Sequence, residues 1–153
     1  MRGRFALIPV LLLTALACGD GALSPSEHLR LSAARERWEE HGGSSYTVES
    51  RILCFCPPYL TTWTRLTVHD GVLVSAEPLG PIFGGEEGSL LGWLTVPQAF
   101  EAILETSRSD YIKDMTVRFD ESLGYPLEFS VICDSNVTDC GSSHQMRNLV
   151  LLP

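Results

Sequence analysis

The spacing of apolar residues along the chain switches three times between a helical and an alternating period. Leu31, Ala34 and Trp38 recur at helical spacing, the stripe of a helix that buries one face. Ser24-Pro25-Ser26-Glu27 supplies its start. Ser24 caps, Pro25 occupies the first turn, where a missing N–H costs nothing, and Glu27 closes a capping box. Gly42-Gly43 ends the helix, while Arg30, Arg35, Glu36, Arg37, Glu39 and Glu40 turn its other faces to water. From Ser45 the period is two. Tyr46, Val48, Ser50, Ile52, Cys54 and Cys56 share one strand face, and Thr47, Glu49, Arg51, Leu53 and Phe55 share the other. Pro57-Pro58 cannot donate to a ladder, so the strand is expected to stop at Cys56, with no helix starting after it. Thr61–His69 and Val72–Ala76 alternate on either side of Asp70-Gly71, a hairpin signal.

The pattern then repeats in kind. Residues 78–93 are rich in Gly and Pro and read as a long loop. Thr95 to Ser107 is a second helix, with Thr95 and Gln98 as a capping box and Val96, Phe100, Ile103 and Ser107 as the buried stripe. Ile112–Phe119 is a strand with Met115, Val117 and Phe119 on one face. Asp120–Pro126 turns the chain: Gly124 permits a positive φ, and Tyr125 is expected to cover a sheet edge. Leu127, Phe129, Val131 and Cys133 alternate inward along the next strand, Asp134–Ser143 is a polar loop, and Met146–Leu152 is the last strand. The order αβββαβββ predicts an α+β fold, two helices packed on an antiparallel sheet of about six strands. The halves agree in order, but no matching residues establish an internal repeat.

The N-terminus lies outside this scheme. Arg2 and Arg4 precede a nearly unbroken apolar run, Phe5–Leu13, followed by Ala15-Leu16-Ala17 and Cys18. This is the layout of a secretory signal peptide over residues 1–17, too short to span a bilayer as a mature helix. TALACGD also resembles the lipobox of bacterial lipoproteins, in which the cysteine is lipidated and becomes the first residue. It departs from the commonest pattern in having Ala15, not Leu, three residues before Cys18. The expectation is a lipidated tether over 18–24, a single domain over 25–153, and a place in the cell envelope, held to the membrane through Cys18.

Composition narrows the function classes. The net charge is −8, with a single lysine, Lys113, and loss of Arg2 and Arg4 would make the chain more acidic still. Nucleic acid is a poor partner for such a surface, because its phosphates need basic patches. With Cys18 set aside, Cys54, Cys56, Cys133 and Cys140 form an even set, for which disulfides are the default in an exported chain. Three pairings are open. Joining Cys54 to Cys56 requires a kink, since side chains two apart on a strand stand ~6.5–7 Å apart and a disulfide holds its Cβ atoms at ~3.8 Å. A crossed pairing to Cys133 or Cys140 requires the 45–56 and 127–133 strands to be neighbours.

Other chemistry is weaker. The four cysteines match no common zinc spacing; His69 and His144 would join a site only if the fold brought them near, and a C-x-C pair can chelate Cu(I). A redox role needs a thiolate of low pKa, usually at a helix N-terminus. Asp134-Ser-Asn136-Val-Thr138-Asp139 lacks the glycine and bidentate glutamate of a calcium loop. Glu86-Glu87 reads as solubilising and Ser142-Ser143-His144 as adjacency in a solvated loop. No hydrolase, zinc-protease or P-loop signature is present. No catalytic residue, metal site or cofactor is assigned.

CFCP at a strand end, TVHDGVLVSA as a hairpin, TVPQAFEAI as a helix start and VRFDESLGYPLEFSV as strand–turn–strand occur here in one order. Together they resemble an uncharacterised bacterial family catalogued as domain of unknown function 6174, over about residues 30–152. That resemblance implies secreted proteins or lipoproteins and brings no activity, substrate or cofactor. It also implies that Cys54 and Cys56 occur without the second pair, hence the pairing Cys54–Cys56 and Cys133–Cys140. The expected function is a non-enzymatic binding or envelope-structural domain, its partners the membrane through its anchor and an envelope protein or ligand still unknown. The alternative is a thiol-redox or copper-binding protein using Cys54 and Cys56.

Overall fold

A computed structural model describes residues 21–82, 88–138 and 140–153. The elements are α1 (Pro25–His41), β1 (Tyr46–Leu53), α2 (Pro58–Thr61), β2 (Thr64–His69), β3 (Val72–Pro78), α3 (Val96–Ser107), β4 (Ile112–Phe119), β5 (Pro126–Cys133) and β6 (Ser142–Leu151). The six strands form one antiparallel sheet in the order β3-β2-β1-β6-β5-β4. Both capping boxes form: Ser24 with Glu27 at α1, and Thr95 with Gln98 at α3.

Alternation decides which face is covered. Tyr46, Val48, Ser50 and Ile52 of β1 are buried, as are Leu66, Val68, Met115, Val117, Phe129, Val131 and Met146 from the other strands. Leu31, Ala34 and Trp38 of α1 and Val96, Ala99, Phe100, Ile103 and Ser107 of α3 are buried too, and the apolar residues of this set belong to one core cluster. Trp38 meets Tyr46 edge-on at 5.3 Å and Phe100 stacks on Phe119 at 6.1 Å. The Tyr46 hydroxyl accepts from the Val96 N–H at 2.8 Å, tying the start of α3 to β1; burial raises the pKa of that tyrosine.

Four expectations change. The order is αβαββαβββ, because a one-turn helix, α2, follows Pro57 and buries Leu60. β1 ends at Leu53, three residues before Cys56, so both cysteines lie beyond the ladder. β6 begins at Ser142, well before Met146, and is central, pairing with β1 and β5. Tyr125 covers no edge; it is buried in the core beside the turn at Asp120–Tyr125. That turn is held by the Asp120 carboxylate, which accepts from the Leu123 and Ser122 N–H groups. Burial alone would raise its pKa, but these bonds outweigh burial and lower it.

The helix-free face is closed by its own polar network. Glu49 accepts from Arg147 at 2.8 Å and from Asn148 at 3.0 Å. Trp63 lies with the Arg147 and Arg51 guanidinium carbons 3.8 and 4.5 Å from its ring centre. Glu128 takes bonds from Gln145 and Ser143 and an ion pair from Arg118. The Gln145 bond above all holds its pKa below the ordinary value. Water-facing positions on antiparallel sheets are commonly polar; here they also satisfy one another.

Candidate functional site

Antiparallel pairing brings the end of β1, the start of β6, the end of β5 and the start of β4 to one end of the sheet. Leu53 pairs with Ser143, Val131 with Ser142, and Ile112 with Cys133. Both cysteine pairs sit at this end. Cys54 and Cys56 are at disulfide distance with Cα atoms 5.2 Å apart, and Cys133 and Cys140 with Cα atoms 6.0 Å apart. The first separation is shorter than the extended-strand repeat of ~6.5–7 Å, so the backbone does kink at Phe55. Each cysteine thus lies at disulfide distance from its neighbour in sequence, and β6 stands between β1 and β5. A direct bond between facing positions of β1 and β5 would have to span two ladder spacings, ~9.5 Å, beyond the Cα reach of a disulfide.

Beside the second pair, the inner face of the sheet opens into a cleft of about 450 Å³. Phe129, Val131, Ile112 and Ala102 give it apolar walls, and Thr106, Tyr111, Thr138, Cys140, Ser142 and His144 complete the lining. The Asp134 N–H donates to the Tyr111 carbonyl at 3.0 Å, which ties the loop after β5 to the start of β4. The His144 imidazole stacks on Phe129, with ring centres 4.3 Å apart and planes 11° apart. Burial drops its pKa to about 4, so the ring is neutral at any pH near 7 and carries one N–H donor and one bare nitrogen acceptor. Among the described residues no group hydrogen-bonds to either nitrogen, and neither is sealed from solvent.

The sequence did not single out this histidine as a cleft residue. Its signal was the alternation Ser142-x-His144-x-Met146, which places all three inward once the strand is known to begin at Ser142. The same alternation separates Ser143 from His144: Ser143 points to the opposite face and donates to Glu128 at 3.0 Å. Ser142 is in the cleft with His144, but among the described residues no carboxylate lines it, so these residues assemble no serine–histidine–acid arrangement there. His69 lies at the other end of the sheet, beside Asp70, and the fold does not bring it near His144. Among the described residues no group of three or more His, Cys, Asp or Glu side chains is placed to hold a metal ion.

Cys54 and Cys56 differ from a reactive pair in one respect the sequence reading missed. A helix does start after them, but α2 is one turn long, its N-cap is Pro57 and its first residue is Pro58. Neither proline has an N–H to aim at a thiolate. Cys18, and with it the lipidation expectation, lies outside the described residues, as do Glu86, Glu87 and Asp139. A larger hollow at the opposite end, about 530 Å³, is lined by Arg30, Arg118, Asp120 and Glu121 among others; its charges compensate one another and Asp120 is committed to its turn.

These features define a disulfide-braced α+β domain, with its helices on one face of an antiparallel sheet and a half-apolar cleft at one end. Residues 30–151 match the model of a family of unknown function, DUF6174, and the chain belongs to that family. No curated protein and no solved structure matches it.

Proposed function

We propose that this protein is an exported bacterial lipoprotein, held at the membrane through Cys18 after removal of residues 1–17, whose domain is a non-enzymatic binding module. The observation that carries the binding role is the His144 cleft. Its volume falls within the ~300–1,000 Å³ of small-molecule sites, its walls are about half apolar, and one neutral imidazole offers both a donor and an acceptor. Such a site suits an uncharged molecule or side chain with an apolar ring and a single hydroxyl or amide, because the described lining residues offer a charged group no countercharge for the hydration it would lose. The two cysteine pairs brace the strand ends that frame the cleft.

Titration of the labelled protein with phenol, benzyl alcohol and indole, read at the His144 ring carbons by NMR, tests the reading. Saturable shifts at His144 that vanish in Val131→Trp, which fills the cleft, are expected. If none of the three probes moves His144 while the protein is folded, the cleft is not a binding site. The rival thiol or copper role for Cys54 and Cys56 is read by intact mass with and without mild reductant. Four masked thiols favour the binding module; a readily reduced pair or bound copper overturns it.

A further inference from the structure

The first described residues are already part of the domain. The Ala22 N–H donates to the Ser107 carbonyl at 2.9 Å, and Leu23 is buried in the core. Only three peptide links separate Cys18 from Gly21, a reach of at most ~11 Å. Ser107 ends α3, and the Ile112 N–H donates to the Ser109 carbonyl just beyond it. The chain thus leaves the body beside the start of β4, at the end that carries both cysteine pairs. The other end of the sheet is a strand length away, ~26 Å for eight residues, out of range of anything held at Cys18.

That near end exposes apolar side chains. Phe55 is 88 % exposed, Ile132 56 % and Tyr111 51 %. Phe55 sits at the tip of the ring closed by Cys54 and Cys56, so its presentation to a partner needs little further ordering. Tyr111, apolar in its ring and polar at its hydroxyl, has the chemistry that settles at a membrane–water interface, and the wholly apolar Phe55 and Ile132 add hydrophobic contact below it. The net charge of −8 and the scarcity of lysine argue against electrostatic attraction to anionic lipid, and leave shallow apolar insertion into a zwitterionic surface.

Resting on the lipoprotein reading above, we infer that the disulfide end of the domain is a lipid-contacting face, with Phe55, Tyr111 and Ile132, all at that end, seated in the interface of the bilayer that holds the anchor. The cleft then opens at the membrane surface, and the polar sheet face rises from it.

The test uses the full-length lipidated protein in vesicles of phosphatidylcholine, with and without bromine on the acyl chains. Phe55→Trp and Val72→Trp are compared, with the emission of Trp38, Trp63 and Trp93 subtracted through the wild type. Val72 is also exposed, but lies at the far end beside the Asp70-Gly71 turn. The emission added by Phe55→Trp is expected to fall at least twofold in brominated vesicles, and that of Val72→Trp to stay unchanged. If intact mass shows the lipid on Cys18 and Phe55→Trp is not quenched, the lipid-contacting face is wrong while the anchor stands. Shielding of Phe55→Trp from aqueous acrylamide without bromine quenching means a protein or a second copy covers it, which also overturns the inference. A mass without lipid overturns the anchor and the inference together.

Discussion

Gly124 has φ of 82°, and a Cβ built on it would overlap the Ala34 carbonyl oxygen of α1 and lie 3.1 Å from the Arg37 Cβ. Gly71 has φ of 78°, but a Cβ there meets nothing within 4 Å. The pair separates two effects that any glycine substitution mixes. Gly71→Ala carries only the left-handed backbone penalty, about 1–2 kcal/mol. Gly124→Ala carries that penalty and also forces α1 away from the β4–β5 turn, an overpacking cost of about 1–3 kcal/mol. Both gain the same small unfolded-state offset, about 0.4–1 kcal/mol, which cancels in the comparison. With about 4 °C of Tm per kcal/mol for a domain of this size, Gly124→Ala should melt about 4–12 °C below Gly71→Ala. Urea titration with equal m-values for the two variants checks that folded and unfolded compactness are unchanged. Equal losses in the two variants would refute the docking of α1 on the turn.

Three further outcomes follow from other parts of the molecule. His144 takes its proton at a pH of about 4 in the folded protein and near 6.5 when unfolded. The unfolded state therefore binds more protons between those values, and stability falls as pH drops from about 7 to 4. The difference is at most about 3 kcal/mol; His144→Phe, still stacked on Phe129, should flatten that part of the pH–stability curve, read by urea unfolding at each pH. Replacing Cys133 and Cys140 by Ser should lower stability by about 2.5 kcal/mol from chain entropy, against about 1.6 kcal/mol for Cys54 and Cys56, whose loop is shorter. Unchanged melting of either double variant would remove that bond as a staple. Trp63→Ala should cost about 1–2 kcal/mol through the two guanidinium contacts over its ring, measured by thermal melting; a silent substitution would show that the outer network contributes nothing.

The periodicities of the chain determined both long helices, their capping boxes, the Asp70-Gly71 hairpin and the inward set of nearly every strand. These depend on residues within a few positions of one another, so spacing suffices to read them. The two prolines marked the end of β1 only approximately: they forbid a ladder from Pro57 on, but the kink that joins Cys54 to Cys56 stops it at Leu53. The one-turn helix α2 was missed because four residues are too few to show a period. The candidate site was hardly legible. His144 looked like part of a loop, since Asp134–Ser143 is polar, and only the pairing of β6 with both β1 and β5 extends that strand back to Ser142. Sequence alone determined which residues face inward; tertiary structure decided which strands are neighbours, because ladder order couples positions about a hundred residues apart. It is that order which sets β6 between β1 and β5 and turns a loop histidine into the neutral wall of a cleft.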